Sequence, residues 1–240
     1  MRLAVLFSGG KDSVYATHLA HRSGNQIVCL VSVSSQNDNS YMYHTPNISL
    51  TSLQAESMNI PLVTVYSKGK KENEVADLKN ALLDLKKNAG IQGIITGAIH
   101  SSYQSSRIQK MCHEIGLTCF NPLWLSPPRA HWHELVIQGF EVMLVRVAAK
   151  GLEKNWLGKV ITLENVEELL ALDSPRIGIN PSGEGGEFES LVLDAPLFSK
   201  RVHIEKWKDE WKGLQGTRHV LKAHLEKRDA SLEKKRKGRK

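Results

Sequence analysis

Leu3-Ala4-Val5-Leu6-Phe7-Ser8-Gly9-Gly10-Lys11-Asp12-Ser13 decides how this chain is read. Its first five residues are an apolar run without a polar break, the pattern of a strand buried on both faces. Two glycines follow, and a helical pattern starts near Asp12 and runs to about Arg22. A strand that turns through glycines into a helix offers free backbone N–H groups and the positive end of the helix dipole to an anion. Ser8 and Ser13 supply hydroxyl donors, and Lys11 supplies a full positive charge. The G-x-x-x-x-G-K-[ST] spacing of a Walker A loop is absent, and so is the G-x-G-x-x-G dinucleotide fingerprint. The stretch is expected to bind phosphate. Its structural alternative is a strand–turn–helix joint without function.

The pattern around this stretch repeats. Apolar runs recur at 26–33, 61–66 and 91–96, and helical patterns fill 48–58, 72–88 and 102–115. In the third helix Val75, Leu78, Leu82 and Leu85 fall on one face. Such alternation predicts right-handed βαβ units and a parallel sheet, with ligands at the carboxyl ends of the strands. The pattern changes after Asn121-Pro122-Leu123-Trp124, where Ser126-Pro127-Pro128-Arg129 breaks any helix. The expected organisation is a nucleotide-binding domain over 1–124, a smaller α+β substrate-binding domain over 125–225, and a basic, disordered tail over 226–240. The second domain is expected to hold a helix over 130–138, a strand over 140–147 and a helix over 164–172. A glycine-rich loop at 181–186 and a strand over 190–194 follow. Over 202–225 the pattern weakens, with Trp207 and Trp211 four apart.

Composition narrows the class. Of 240 residues, 41% are hydrophobic and 24% charged, the balance of a soluble globular protein. No apolar run approaches the roughly 20 residues that span a bilayer, and the N-terminus reads as a strand and not as a signal peptide. The net charge is +7, and six of the positive charges lie in Lys234-Lys235-Arg236-Lys237-Gly238-Arg239-Lys240. The basicity is therefore mostly a tail, which either solubilises or weakly holds an acidic or RNA-rich partner. Cys29, Cys112 and Cys119 give no even disulfide framework and no C-x-x-C pair. A reduced cytoplasmic protein without structural zinc is expected.

Ser8-Gly9-Gly10-Lys11-Asp12-Ser13 resembles the S-G-G-x-D-S signature of the PP-loop ATP pyrophosphatases, a likeness that covers about the first 120 residues. The resemblance implies a Rossmann-like adenine-nucleotide alpha-hydrolase sheet and cleavage of ATP between its α and β phosphates. An activated oxygen is adenylated, and a nitrogen or sulfur nucleophile then displaces AMP. Sulfur-inserting members carry paired cysteines, which this sequence lacks, and no glutaminase domain is visible.

Three further segments resemble the diphthine–ammonia ligase (diphthamide synthetase) family. They are Tyr43-His44-Thr45-Pro46-Asn47, Gly97-Ala98-Ile99-His100-Ser101-Ser102-Tyr103-Gln104-Ser105-Ser106-Arg107, and Gly183-Glu184-Gly185-Gly186-Glu187-Phe188-Glu189-Ser190-Leu191-Val192-Leu193-Asp194-Ala195-Pro196. With Asn121-Pro122-Leu123-Trp124 the likeness runs over roughly residues 1 to 200, in the short form of the archaeal members. The resemblance implies ATP-dependent amidation, with ammonium, of the diphthine carboxylate on translation elongation factor 2. The product is diphthamide, released with AMP and pyrophosphate.

ATP is expected on Ser8, Gly9, Gly10, Lys11, Asp12, Ser13, His44, Gly97, Tyr103 and Gln104, with Lys11 and Arg107 neutralising phosphate charge. A surface ion pair for Arg107, ordinary packing for Tyr103 and a satisfied loop histidine for His44 are the structural alternatives. Magnesium would accompany ATP, with Asp12 as its protein ligand, although the helix dipole alone also explains that carboxylate. Glu184, Glu187 and Glu189 crowd a glycine turn. They suit the quaternary ammonium of diphthine and ammonium itself, and one of them is a candidate general base; a solvated acidic loop is the alternative. No membrane and no stable nucleic-acid binding are expected, and a homodimer is compatible with the sequence. Other readings are a different PP-loop ligase, for example one acting on tRNA, and a non-catalytic adenine-nucleotide-binding protein.

Overall fold

β1 (Arg2–Leu6) lies in the middle of a five-stranded parallel sheet. In the computed structural model, residues 1–35, 47–67, 71–99, 102–174 and 177–228 are described. The chain leaves β1 through α1 (Lys11–Arg22) to β2 (Gln26–Ser35), then α2 (Thr51–Met58), β3 (Leu62–Ser67) and α3 (Lys71–Ala89). It returns to β4 (Gly93–Ile95), on the other side of β1, and continues through α4 (Ser102–Ile115) to β5 (Thr118–Phe120). The strand order is β3-β2-β1-β4-β5, and every pairing is parallel. The order reverses between β1 and β4. Loops leaving the carboxyl ends of those two strands therefore diverge and open a crevice, the usual ligand position in such sheets. The fold class read from the sequence is the one observed.

The helices cover the sheet as their patterns require. Leu78 and Leu82 of α3 are fully buried against Ala4, Val31 and Ile94, while Val75 and Leu85 pack at the edge of the same cluster. Ile108, Met111 and Cys112 of α4 close it from the neighbouring position.

The chain forms two compact units, one of Met1–Ala55 and Ile60–Leu125, the other of Glu56–Asn59 with the residues from Ser126 onward. The second unit contains α5 (Pro128–Ile137), β6 (Glu141–Val147), β7 (Val160–Ile161), α6 (Val166–Leu170) and β8 (Phe188–Asp194). It ends with β9 (Arg201–Lys212) and β10 (Gln215–Glu226). These strands form an antiparallel sheet in the order β7-β6-β10-β9, with β8 also paired to β6. α6 is shorter than the helix expected over 164–172: a turn held by Thr162 N–H donating to Asn165 Oδ1 at 2.9 Å occupies the residues before it. Residues 202–225, which carry no clear pattern, form the paired strands β9 and β10. Only Val202 and Gly216 of this ribbon are buried, so no alternation of apolar and polar residues was needed to specify it.

Trp132 anchors this unit. It is fully buried, its indole N–H donates to the Pro181 carbonyl at 2.7 Å, and it packs on Phe188 with ring centroids 6.1 Å apart. Trp132→Phe keeps most of the apolar volume and strands that carbonyl. We expect a loss of about 1–3 kcal/mol of stability, the cost of an unsatisfied buried acceptor, readable as a lower urea midpoint. An unchanged midpoint would remove the anchoring role.

The structured chain extends past the point where a tail was expected. β10 includes Glu226, and Arg228 donates to Asp194 Oδ1 at 2.7 Å and to the Ala195 carbonyl. Residues 229–240 lie outside the described residues. Among the described residues no helix is long and apolar enough to cross a membrane.

Candidate active site

The loop after β1 is shaped by backbone constraints. Gly9 has φ +78, a conformation L side chains rarely adopt, and a Cβ there would run into the Gln54 amide. Gln54 is fully buried on α2, and its Nε2 donates to the Gly9 carbonyl at 2.9 Å. Gly10 is the residue before α1 and is extended, at φ −78 and ψ 168, and its carbonyl accepts the first helical bond from Val14 N–H at 3.1 Å. No side chain caps α1. The start of α1 lies at the carboxyl end of the central strand, the position where helix starts in such sheets bind anions.

The two serines hold the loop closed on itself. Ser8 N–H donates to Ser13 Oγ at 3.3 Å, and Ser13 Oγ–H donates to the Gly10 carbonyl at 3.1 Å. The hydroxyls of Ser8 and Ser13 are 3.2 Å apart. Ser13, expected to be a phosphate donor, is thus also a strut of the loop. Lys11 is buried, and its Nζ lies 2.8 Å from Asp12 Oδ2. The side chains expected to meet phosphate and magnesium are therefore joined in one ion pair.

The segment after β4 backs onto this loop. A Cβ on Gly97 would come within 2.8 Å of the Asp12 carbonyl carbon and of the Ser13 amide nitrogen. Only a glycine lets the two loops approach this closely. Thr96, one residue earlier, donates through Oγ1 to Asn121 Oδ1, and its own N–H donates to the Phe120 carbonyl at 2.9 Å. Arg107 lies on the second turn of α4 and is half-buried. Tyr103 and Gln104 belong to the first turn of the same helix. His44 lies outside the described residues, as do the rest of Tyr43–Pro46 and His100. Gln54 and Thr96 were not singled out from the sequence, and Asn121 was noted only as part of the Asn121–Trp124 segment, with no role at the site. Gln54 shares the buried face of α2 with Thr51 and Ser57, so no local signal in the sequence set it apart.

The acidic loop belongs to the second unit. Gly183 and Gly186 have φ +77 and +84, and a Cβ on Gly183 would meet the Phe188 ring at 2.7 Å. The turn is pinned by Ser182 N–H to Asn180 Oδ1 at 3.0 Å and by Trp132 beneath Pro181. The three glutamates differ in setting. Glu189 pairs with Arg146 at 3.0 Å, and burial raises its carboxyl above the ordinary range, with Arg146 acting against that. Glu184 is half-buried. Glu187 accepts from Asn180 N–H through Oε1 at 3.3 Å, while its Oε2 is buried with no hydrogen-bond partner among the described residues. A buried carboxylate oxygen without a donor is costly, and a cation or a ligand N–H removes that cost.

Among the described residues, no three His, Cys, Asp or Glu side chains are grouped to hold a metal ion. Asp12 offers a single carboxylate, which fits a magnesium ion carried mainly by phosphate oxygens.

Comparison with known proteins assigns both halves of the chain to one family. The diphthamide synthase N-terminal domain model matches residues 1–119, and its C-terminal domain model matches residues 128–225. A Homo sapiens protein named diphthine–ammonia ligase is 34% identical over 224 residues, covering 85% of this chain and 83% of its own length. A Danio rerio protein of the same name is 33% identical, with 85% and 87% covered. One from Schizosaccharomyces pombe is 31% identical and covers 84% of this chain but 36% of its own longer sequence. With both domain models matched in order and the named relatives ligases, the chain belongs to the diphthamide synthase family.

Proposed function

We propose that this ligase converts the diphthine carboxylate of translation elongation factor 2 to the amide, using ATP and ammonium. The phosphates of ATP sit on the uncapped start of α1, where Gly9 and Gly97 let backbone approach them. Ser8 and Ser13 donate hydroxyls. Lys11, drawn from its Asp12 partner, and Arg107 offset the charge that develops as the α–β bond breaks. Asp12 would be the protein ligand of the magnesium that accompanies ATP, and the ion would help offset phosphate charge. The diphthine oxygen attacks the α-phosphorus, pyrophosphate leaves, and an acyl-adenylate forms. Ammonia then attacks the acyl carbon and AMP departs. The protonated nucleophile and the quaternary ammonium of diphthine are cations, and the glutamate loop is their counterpart.

The observation that carries the reading is the loop after β1. Its glycine-shaped backbone, closed serine pair and uncapped helix start stand at the point where the strand order reverses. The acceptor side rests on Glu187, whose buried Oε2 is without a donor among the described residues.

The test is incubation with diphthine-bearing elongation factor 2, ATP and ammonium, followed by mass spectrometry of the modified peptide and nucleotide analysis. Acid-to-amide conversion with AMP and pyrophosphate is the expected outcome. ADP and phosphate as products would exclude the proposal. Ser13→Ala should weaken ATP binding by about 1–2 kcal/mol, a lost hydrogen bond to a charged group together with a loosened loop. Calorimetric titration reads it, and an unchanged affinity would take Ser13 out of the site.

A further inference from the structure

β9 and β10 carry two histidines that are 21 residues apart in sequence and directly opposite each other in the ribbon. His203 and His224 are partners in the antiparallel register, so their side chains leave the same face. The register shifts of the ribbon fall around Lys222, and the pairing from Ala223 to Glu226 is regular. The strands therefore fix the spacing of the two rings. Their centroids are 5.1 Å apart, with the ring planes inclined at 49°. His224 is exposed and His203 half-exposed, so an ion can reach them from solvent.

Each ring faces a carboxylate on the opposite strand. His224 Nδ1 lies 2.7 Å from Glu205 Oε1, and His203 Nδ1 lies 3.4 Å from Glu226 Oε1. The carboxylates are themselves held, Glu205 by Lys222 and Glu226 by Arg201 at 2.9 Å. An ionised carboxylate only accepts, so the ring nitrogen facing it carries the proton. In a neutral imidazole the lone pair then lies on Nε2. A carboxylate on one ring nitrogen and a lone pair on the other is the arrangement that orients a metal-binding imidazole and raises its basicity. Two imidazole nitrogens at about 2.0–2.1 Å from one tetrahedral ion put their ring centroids about 5 Å apart. The spacing that the strands impose is already the spacing of a shared ion.

We propose that His203 and His224 form a two-imidazole site for a late first-row divalent metal ion, zinc or copper(II), that staples β9 to β10. Nε2 of each ring is the ligand, water completes the shell, and Glu205 and Glu226 orient the rings. Imidazole suits these ions and not magnesium, which takes oxygen ligands. Arg201 and Lys222 keep both carboxylates engaged, which further disfavours a hard cation. With two protein ligands in place of the four of a structural zinc site, binding is reversible.

The ribbon supplies its own control. His219 is also exposed on β10 and lies 3.5 Å from Glu210, but its cross-strand partner is Lys208. It has a carboxylate beside it and no second imidazole opposite. The metal site shares no residue with the proposed nucleotide loop or the glutamate loop, so it stands or falls apart from the proposed function.

The test is calorimetric titration of the full, metal-free chain with zinc, copper(II) and magnesium chlorides. Zinc should bind, copper(II) more tightly, and magnesium not at all. His203→Asn and His224→Asn should each cost more than the roughly 10–100-fold that losing a supporting hydrogen bond costs. Glu205→Gln should cost about tenfold, as a supporting group. His219→Asn should stay within about threefold of the parent. Bound copper(II) should show electron paramagnetic resonance coupling to two imidazole nitrogens in the parent, and to fewer in either asparagine variant. Circular dichroism checks that the variants fold. No saturable zinc binding below about 1 mM would overturn the proposal. So would zinc bound undiminished by both asparagine variants, which would place the ion elsewhere, for example on the partly covered Cys119 thiol. Magnesium bound as well as zinc would exclude imidazole as the ligand.

Discussion

Gly97→Ala should cut ATP affinity by about ten- to a hundredfold, the equivalent of the roughly 1–3 kcal/mol that overpacking costs. The added methyl would lie 2.8 Å from the backbone of Asp12 and of Ser13. Backbone cannot rotate aside as a side chain can. The start of α1 or the segment after β4 must shift instead, and either shift misaligns the amides that face the phosphates. The overall fold should survive, because the strain falls on two loops and leaves the paired strands untouched. Calorimetric titration with ATP measures the affinity, and circular dichroism reports the fold. An alanine variant that binds ATP like the parent would show that the close approach of these loops has no part in nucleotide binding. A second glycine gives a contrast. Gly24 also has positive φ, but nothing lies within 4 Å of its Cβ position, so Gly24→Ala should leave ATP affinity within about threefold.

Glu187→Gln should lower amide formation by about 10²-fold or more, the scale of a lost general base or a lost cation contact. The substitution keeps the volume and the Oε1 contact with Asn180 N–H. It removes the charge and turns the buried Oε2 position into an N–H donor. ATP affinity should stay within about threefold, since Glu187 and the phosphate loop belong to different compact units. Glu189→Gln provides the control, because its carboxylate is already engaged by Arg146. A smaller loss of turnover is expected there, with the defect appearing in stability. Steady-state amidation with saturating ATP reads both variants. Equal turnover of Glu187→Gln and the parent would reduce the segment to a solvated turn.

The first unit was legible in the sequence because its elements are specified locally. Leu3 to Phe7 is apolar without interruption since both faces of a central parallel strand are covered. Val75, Leu78, Leu82 and Leu85 recur at helical spacing because one face of α3 meets the sheet. The phosphate loop was legible for the same reason, since a strand, two glycines and a helix start are contiguous. The ribbon of β9 and β10 was not legible. Trp207 and Trp211 are four apart, which puts them on one face of a helix and equally on one face of a strand. With only Val202 and Gly216 buried, no period distinguishes the two.

What only the tertiary structure decided are relations between residues distant in sequence. Gln54 buttresses Gly9, and Gly97 touches Asp12 and Ser13, although no spacing encodes either contact. Lys11 spends its charge on Asp12, which residue types alone leave open. The three glutamates look alike in the sequence, yet one pairs with Arg146 and another keeps a carboxylate oxygen without a donor among the described residues. Sequence by itself determined the strands and helices of the first unit and the glycine turn between β1 and α1, because periodicity and glycine placement act over a few residues. Packing decided which side chains face one another, because burial and hydrogen bonding are settled only when separate segments compete for the same space.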